Sequence, residues 1–316
     1  MEKQHKLILN EAISRFYTIE KVENTDSPLS HLIHSNNKTL TLLNGSPREL
    51  ISKKNEDLFD DKGKLSKSLS NTSINIINNL IVSDLNNSEI ASFIKNKNRF
   101  VCKPTIGTEG IGVELDLKTM DDLKSYWQRN KHLCDEFLLE EQIDKKDFRV
   151  QVINGEIMSA CTRVPARVSG NGIDKLSELI HQAIIQVKAN NPSNNLIIDQ
   201  ESKSMIDQQG FQINDVISVG IDVQLKKLAN MSQGALAIDL TDSIHPGYFK
   251  WIKEIVALTN STYFAVDFLT DHPEKDPINH ANLLEINARP EWLHHTFSEG
   301  KSHPIEKYLL DAYFES

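Results

Sequence analysis

Three oxygen-bearing side chains near the end of the chain have the types and spacing of a hard-cation site. Glu285 and Asn287 stand two apart in Leu-Leu-Glu-Ile-Asn-Ala, and Asp267 sits in an upstream apolar run, Tyr-Phe-Ala-Val-Asp-Phe-Leu. Both runs read as buried strands, and side chains two apart on a strand share a face. Oxygen ligands converging from neighbouring strands suit one or two Mg²⁺ ions, which keep several waters and take other ligands from substrate phosphates. The bland alternative is a set of strand-end polar residues meeting solvent, and the triad alone does not beat it.

Other stretches add phosphate chemistry. Lys103 ends an apolar run at a proline, and Thr105-Ile-Gly-Thr-Glu-Gly-Ile-Gly-Val follows with three glycines in six residues. Glycines let backbone N–H groups approach phosphate oxygens, and a lysine supplies a point charge. The glycine-lysine-Ser/Thr ending of a P-loop is absent. Taken alone, such a stretch is more often merely a turn. Leu-Leu-Glu140-Glu141-Gln-Ile143 offers an apolar strand and hinge for an adenine, and Asp147 stands four residues on for a ribose; a surface acidic run on an edge strand reads about as well. Arg163 and Arg167 flank a Val-Pro-Ala stretch before a Gly-rich bend. Arginine captures phosphate or carboxylate bidentately, although two exposed strand arginines are the plain reading. His294-His295 hints at a metal, but no third ligand stands at helical or hairpin spacing, so a substrate-pocket or structural role is expected.

Strands and helices must hold these groups, and the pattern supplies them. A helical period covers residues 1 to about 20, with Ile8, Ala12 and Phe16 on its apolar side. Residues 39–43 read as a strand, and Leu65 and Leu69 give a polar segment an inner helical face. Strands are expected at 99–103, 137–141, 148–153 and 156–161, the last two joined by the hairpin signal Asn154-Gly155. Thr119 caps a helix running to about Lys131. Further helices are expected at 174–189, from His245 to about Leu258, and after Pro304, while 196–230 has no clear pattern. The alternation, with several hairpins, reads as α+β or mixed α/β.

Composition narrows the partners. The 316 residues can bury a large core, and the net charge of −9 leaves no basic surplus for a nucleic-acid backbone. No apolar run is long enough to cross a bilayer. Cys102, Cys134 and Cys161 form neither a metal-ligand spacing nor a paired framework. With no signal peptide, they fit a reducing cytoplasm.

Together these pieces resemble the ATP-grasp carboxylate–amine ligases. The order agrees: Lys103 before a glycine loop, then Glu140 to Asp147, then Asp267, Glu285 and Asn287. Arg163-Val-Pro-Ala-Arg-Val-Ser-Gly-Asn-Gly, Ala229-Asn-Met-Ser-Gln-Gly-Ala, Ala237-Ile-Asp-Leu-Thr-Asp-Ser-Ile-His-Pro, Glu285-Ile-Asn-Ala-Arg-Pro and His295-Thr-Phe-Ser-Glu-Gly300 look like cyanophycin synthetases and the ligase domain of bifunctional glutathione synthetases. The resemblance covers roughly residue 60 to the end.

It implies an ATP-grasp fold with a nucleotide held between two α+β subdomains. Residues 1–60 would form a reduced N-terminal subdomain, 61–141 a central one with the glycine loop, and 142–316 a C-terminal one with the metal and substrate site. Lys103 would contact ATP phosphates under Gly107, Thr108, Gly110 and Gly112. Glu140, Glu141 and Ile143 would hold adenine, and Asp147 the ribose. Asp267, Glu285 and Asn287 would hold Mg²⁺, with Mn²⁺ as a substitute. Arg163 would stabilise the transferred phosphoryl group, and Asn230 would border the acyl phosphate. Arg167, Ser232, Gly234, Arg289, His295 and Gly300 would line the substrate side. An earlier lysine is also used in the family; Lys64 is the candidate, with Lys62 and Lys67 close behind.

The implied activity is ATP-dependent amide-bond formation between an amino acid or short peptide and an amine, releasing ADP and phosphate. A non-peptidic substrate, or a non-catalytic nucleotide-binding module, are the alternatives. No nucleic-acid or membrane partner is expected; a homodimer is common in the family, though no residue here argues for one. Three departures fall on the substrate side. Ala235 stands where relatives commonly have a second glycine, Glu291-Trp292 where a glycine is usual, and Lys226 where an arginine is expected.

Overall fold

The structure is a computed structural model, and it describes residues 2–23, 28–95, 97–107 and 110–315. Residues 1–50 carry helix α1 (Glu2–Ser14) and four antiparallel strands in sequential order, β1 (Thr18–Lys21), β2 (Ser30–Ser35), β3 (Lys38–Leu43) and β4 (Ser46–Pro47). Residues 51–146 carry α2 (Lys53–Asp60), α3 (Lys62–Leu69), β5 (Asn79–Val82), α4 (Glu89–Lys95), β6 (Phe100–Pro104), β7 (Glu114–Leu117), α5 (Met120–Asn130) and β8 (Phe137–Glu141). Its strands form one sheet in the order β5-β8-β6-β7. Residues 147–242 carry β9 (Asp147–Ile153), β10 (Glu156–Val164), β11 (Arg167–Ser169), α6 (Leu176–Asn190), α7 (Gln200–Gln208), β12 (Asp222–Gln224) and β13 (Leu236–Asp239). Then come α8 (Gly247–Thr259), β14 (Phe264–Leu269), α9 (Pro277–His280), β15 (Asn282–Asn287) and α10 (Ile305–Phe314).

The chain divides into two units, each drawn from separated segments. One combines residues 1–50, 147–242 and 291–316; the other combines 51–146 and 243–290. The boundaries between the units fall after Leu50, Lys146, Asp242 and Pro290.

In the second unit, α5 seals one face of the β5–β8 sheet. Thr119 accepts from the N–H of Asp122, whose carboxylate in turn accepts from the Thr119 N–H. This reciprocal capping box satisfies two donors that a helix start otherwise leaves unpaired. Leu123 and Tyr126 then bury against Phe100, Phe137 and Leu139. In the first unit, Asn154 and Gly155 take positive φ values of 55° and 74°, the turn that the β9–β10 hairpin requires. A separate core there gathers Leu176, Leu179 and Ile180 of α6 with Ile206 of α7 and Val223 of β12. Helix α1 is shorter than its apolar period predicts. It stops at Ser14, Phe16 adopts φ 59° and is exposed, and the helix buries the polar Gln4 and His5 beside Ile8 and Ala12. Among the described residues no helix is long and apolar enough to cross a membrane.

Candidate functional site

The oxygen triad meets within the second unit. Strands β14 and β15 pair antiparallel with Asp267 opposite Glu285 and Ala265 opposite Asn287. Directly opposed residues share a sheet face, so all three polar side chains project together. The register shifts immediately beyond Asp267, where Phe268 pairs with Leu283. Asp267 is fully buried, and the Asn287 side-chain amide donates to Glu285 Oε1 at 3.3 Å. Two carboxylates facing one another across a ladder repel unless positive charge compensates them, and hard oxygen donors match Mg²⁺ or a similar cation.

Positive charge reaches this unit from two lysines. Lys103 on β6 and Glu140 on β8 are both buried, with Nζ 2.5 Å from Oε2. Burying a charge requires a partner, and each of these groups has the other. Lys62 opens α3, and its start is stitched to the front of the glycine loop. The Lys62 N–H donates to Thr105 O at 2.9 Å, Asp61 bridges to Ile106, and Lys62 Nζ donates to Gly107 O at 2.9 Å. Burial holds the Lys62 ammonium below its ordinary pKa. The carboxylates of Glu285, Glu140 and Asp60 work against that, while Lys103 adds to it. Lys62 therefore feels both the β15 carboxylate and the buried pair. Lys64, the expected lysine, is exposed and bonds Asp61 Oδ2 at 3.0 Å; Lys67 is exposed too. The α-helical period explains the difference: one position along α3 turns a side chain about 100° around its axis.

Two glycines of the loop take left-handed backbone. Gly110 and Gly112 take φ values of 75° and 72°. A Cβ at Gly112 would lie 2.7 Å from Leu133 and 2.9 Å from Pro104, so only glycine fits. Gly107 has ordinary φ, and Thr108 lies outside the described residues. On the strand leading into the hinge, Glu141 bonds Lys97 at 2.6 Å, and Ile143 is half-buried. Arg289 is not a solitary guanidinium: it faces Glu56 at 3.2 Å and Asp60 at 3.8 Å on α2.

The remaining candidates lie in the first unit. Asp147 and Arg163, given separate roles by the resemblance, are cross-strand neighbours on β9 and β10 and bond each other bidentately at 2.5 and 2.6 Å. In this geometry both Asp147 oxygens are engaged by a guanidinium. Arg167 faces Asp222 at 3.2 Å across β11 and β12. Asn230 caps a 3₁₀ turn over Met231–Gln233, accepting from the N–H and hydroxyl of Ser232. Gly234 closes that turn at φ 90°, with its N–H donating to Met231 O. Ala235 is not among the described residues with positive φ, so the turn needs only its first glycine and tolerates this departure. Gly300 adopts φ 95° and is exposed. His295 is fully buried, and neither of its ring nitrogens has a hydrogen-bond partner among the described residues.

Comparison with known proteins bears on these sites. No family model matches the chain. It is 30% identical over 228 residues to the cyanophycin synthetase of Geminocystis herdmanii (strain PCC 6308), covering 68% of this chain and 25% of that protein. It is 27% identical over 231 residues to the glutathione biosynthesis bifunctional protein GshAB of Streptococcus agalactiae serotype V, covering 68% and 30%. The crystal structure of a bifunctional glutathione synthetase from Pasteurella multocida superposes with a TM-score of 0.74 at 18% identity, over 99% of this chain and 44% of that one. The chain resembles the ATP-grasp ligases. Its fold is the ATP-grasp fold, and it spans about a quarter of the length of the cyanophycin synthetase it matches.

Within the ATP-grasp fold, the other two departures have local explanations. Lys226 is buried and bonds Asp199 Oδ2 at 2.6 Å, and that bond, with the Ser202 N–H, drives the Asp199 carboxyl far below its usual range. Glu291, where a glycine is usual, accepts from the Leu293 N–H at 2.8 Å and meets His294 Nδ1 at 3.1 Å. Burial, the largest single influence, would raise its pKa, but His294, the Leu293 N–H and Arg149 together outweigh it and the net direction is down. Trp292 beside it is fully buried.

Proposed function

We propose that this chain is an ATP-dependent carboxylate–amine ligase of the ATP-grasp type, acting on an amino acid or short peptide. The observation that carries this reading is the convergence of Lys62, Lys103, Glu140 and Glu285 beside a glycine loop with forced positive φ. Phosphoryl transfer asks for positioning and charge neutralisation rather than a covalent nucleophile, and this set offers both. Lys62 and Lys103 would hold phosphate oxygens beneath the glycine loop. Lys62 takes the role that the resemblance gives an early lysine.

Asp267, Glu285 and Asn287 are hard oxygen donors on one face and fit Mg²⁺ or Mn²⁺. A divalent ion held by them would neutralise charge on the ATP phosphates. Glu140, Glu141 and Ile143 would border the base. The substrate carboxylate would take the γ-phosphoryl group, giving an acyl phosphate and ADP, and the amine would displace phosphate to leave an amide. Asp147 would fix the plane of the Arg163 guanidinium through their bidentate bond, leaving Arg163 to meet the transferred group. Asn230, Ser232 and Gly234 would shape the acyl-phosphate side.

The test is phosphate release from Mg-ATP across a matrix of amino acids and dipeptides, with each hit weighed by mass spectrometry. Release that needs two substrates, with a product lighter than their sum by one water, is expected. Failure of the protein to bind ATP at all would end this reading.

A further inference from the structure

A second cluster of metal-ligating groups, different in chemistry from the oxygen triad, lies in the first unit. Cys161 on β10 and His294 and His295 in the 3₁₀ segment Leu293–Thr296 each offer a ligand atom, all within 4.8 Å of one another. All three residues are fully buried. His294 Nδ1 lies 3.1 Å from Glu291 Oε2, so Nδ1 carries the proton and donates it to the carboxylate. That leaves His294 Nε2 as a lone pair, buried and without a hydrogen-bond partner among the described residues; both His295 nitrogens are likewise buried without a partner, and in the neutral ring one of them is a lone pair. Buried polar atoms ordinarily find partners, so three orphans in one spot require explanation.

We propose that Cys161, His294 and His295 form a binding site for a borderline-soft divalent ion of the zinc class. The donor set selects it: one thiolate and two imidazoles suit Zn²⁺ and disfavour the hard ions that the oxygen triad fits. The Glu291–His294 bond is the carboxylate–histidine arrangement that fixes a ligating ring and raises its basicity. Binding forms one Sγ–metal and two N–metal bonds, and the Cys161 thiol releases its proton to solvent. Arg149 and Arg163 stand near the cluster with His303; Glu291 bonds His294, and Asp147 and Asp239 pair with Arg163 and His303. The inference is independent of the ligase reading.

The test is titration of the full chain with Co²⁺ under reducing conditions, followed by absorbance. One Co²⁺ per chain, with a near-ultraviolet sulfur-to-cobalt band that Zn²⁺ abolishes, is expected. Cys161→Ser should lose the band. Glu291→Gln should keep it with about 10- to 100-fold weaker binding, a readout that survives if the serine variant fails to fold. Co²⁺ binding without the sulfur band, or no binding, in the folded wild-type chain would overturn the site.

Discussion

The oxygen triad and the Cys–His cluster are both groups of metal-ligating side chains, yet they differ in chemistry, in solvent access and in how the chain assembles them. Asp267, Glu285 and Asn287 sit on two consecutive strands joined by a connection that carries α9, so a single pairing register brings them together. Around them stand lysines and a glycine loop, the surroundings of a phosphate site. Cys161 and the two histidines are fully buried, and their only nearby carboxylate bonded to a ligand ring is Glu291 among the described residues. Hard donors beside cations and strained glycines suit a site where a substrate arrives and leaves. Soft donors sealed in a core suit a resident ion. The same fold thus offers two environments that should select different metals.

The strongest way to break this comparison is Glu285→Ala. It should lower ATP turnover by about 1,000-fold or more, because it removes a ligand and uncovers the charge of Lys62. The cobalt–sulfur band should persist in that variant. Loss of the band together with turnover would mean that the two clusters are not separate sites.

A finer test separates adjacent lysines. Lys62→Ala should cost about 100-fold in turnover, whereas Lys64→Ala should leave it near wild type, since Lys64 is exposed and held by Asp61. Steady-state phosphate release decides it; a reversed order would move the early lysine back to Lys64.

The smallest effects concern the loop. Gly112→Ala combines left-handed strain with crowding against Leu133 and Pro104, and should lower stability by about 2–3 kcal/mol. Gly110→Ala meets nothing within 4 Å and should cost only about 1 kcal/mol. Urea unfolding midpoints would show the difference, and equal losses would count against the crowding at Gly112.

Much of this was legible in the sequence where one local rule governs. Thr119 announced a capped helix, Asn154-Gly155 a hairpin, and the period-2 placement of Glu285 and Asn287 a shared face. Departures from the family pattern were legible as well, but their reasons were not: Ala235 is tolerated because only Gly234 needs a left-handed φ. Helix α1 was read too long because its apolar period runs past Ser14, where the backbone turns at Phe16.

Amino-acid order by itself determined several strands, the Thr119 cap and the shared face of Glu285 and Asn287, because each depends on neighbours within a few residues. Only the tertiary structure decided the rest. It set Lys62 against the glycine loop and left Lys64 exposed beside Asp61. It locked Asp147 onto Arg163 through the β9–β10 register. It also supplied the third ligand that His294 and His295 lacked, by packing their 3₁₀ segment onto Cys161 of a strand far upstream. Spacing rules see one helix or one hairpin at a time, and a site built by packing between distant elements has no spacing to read.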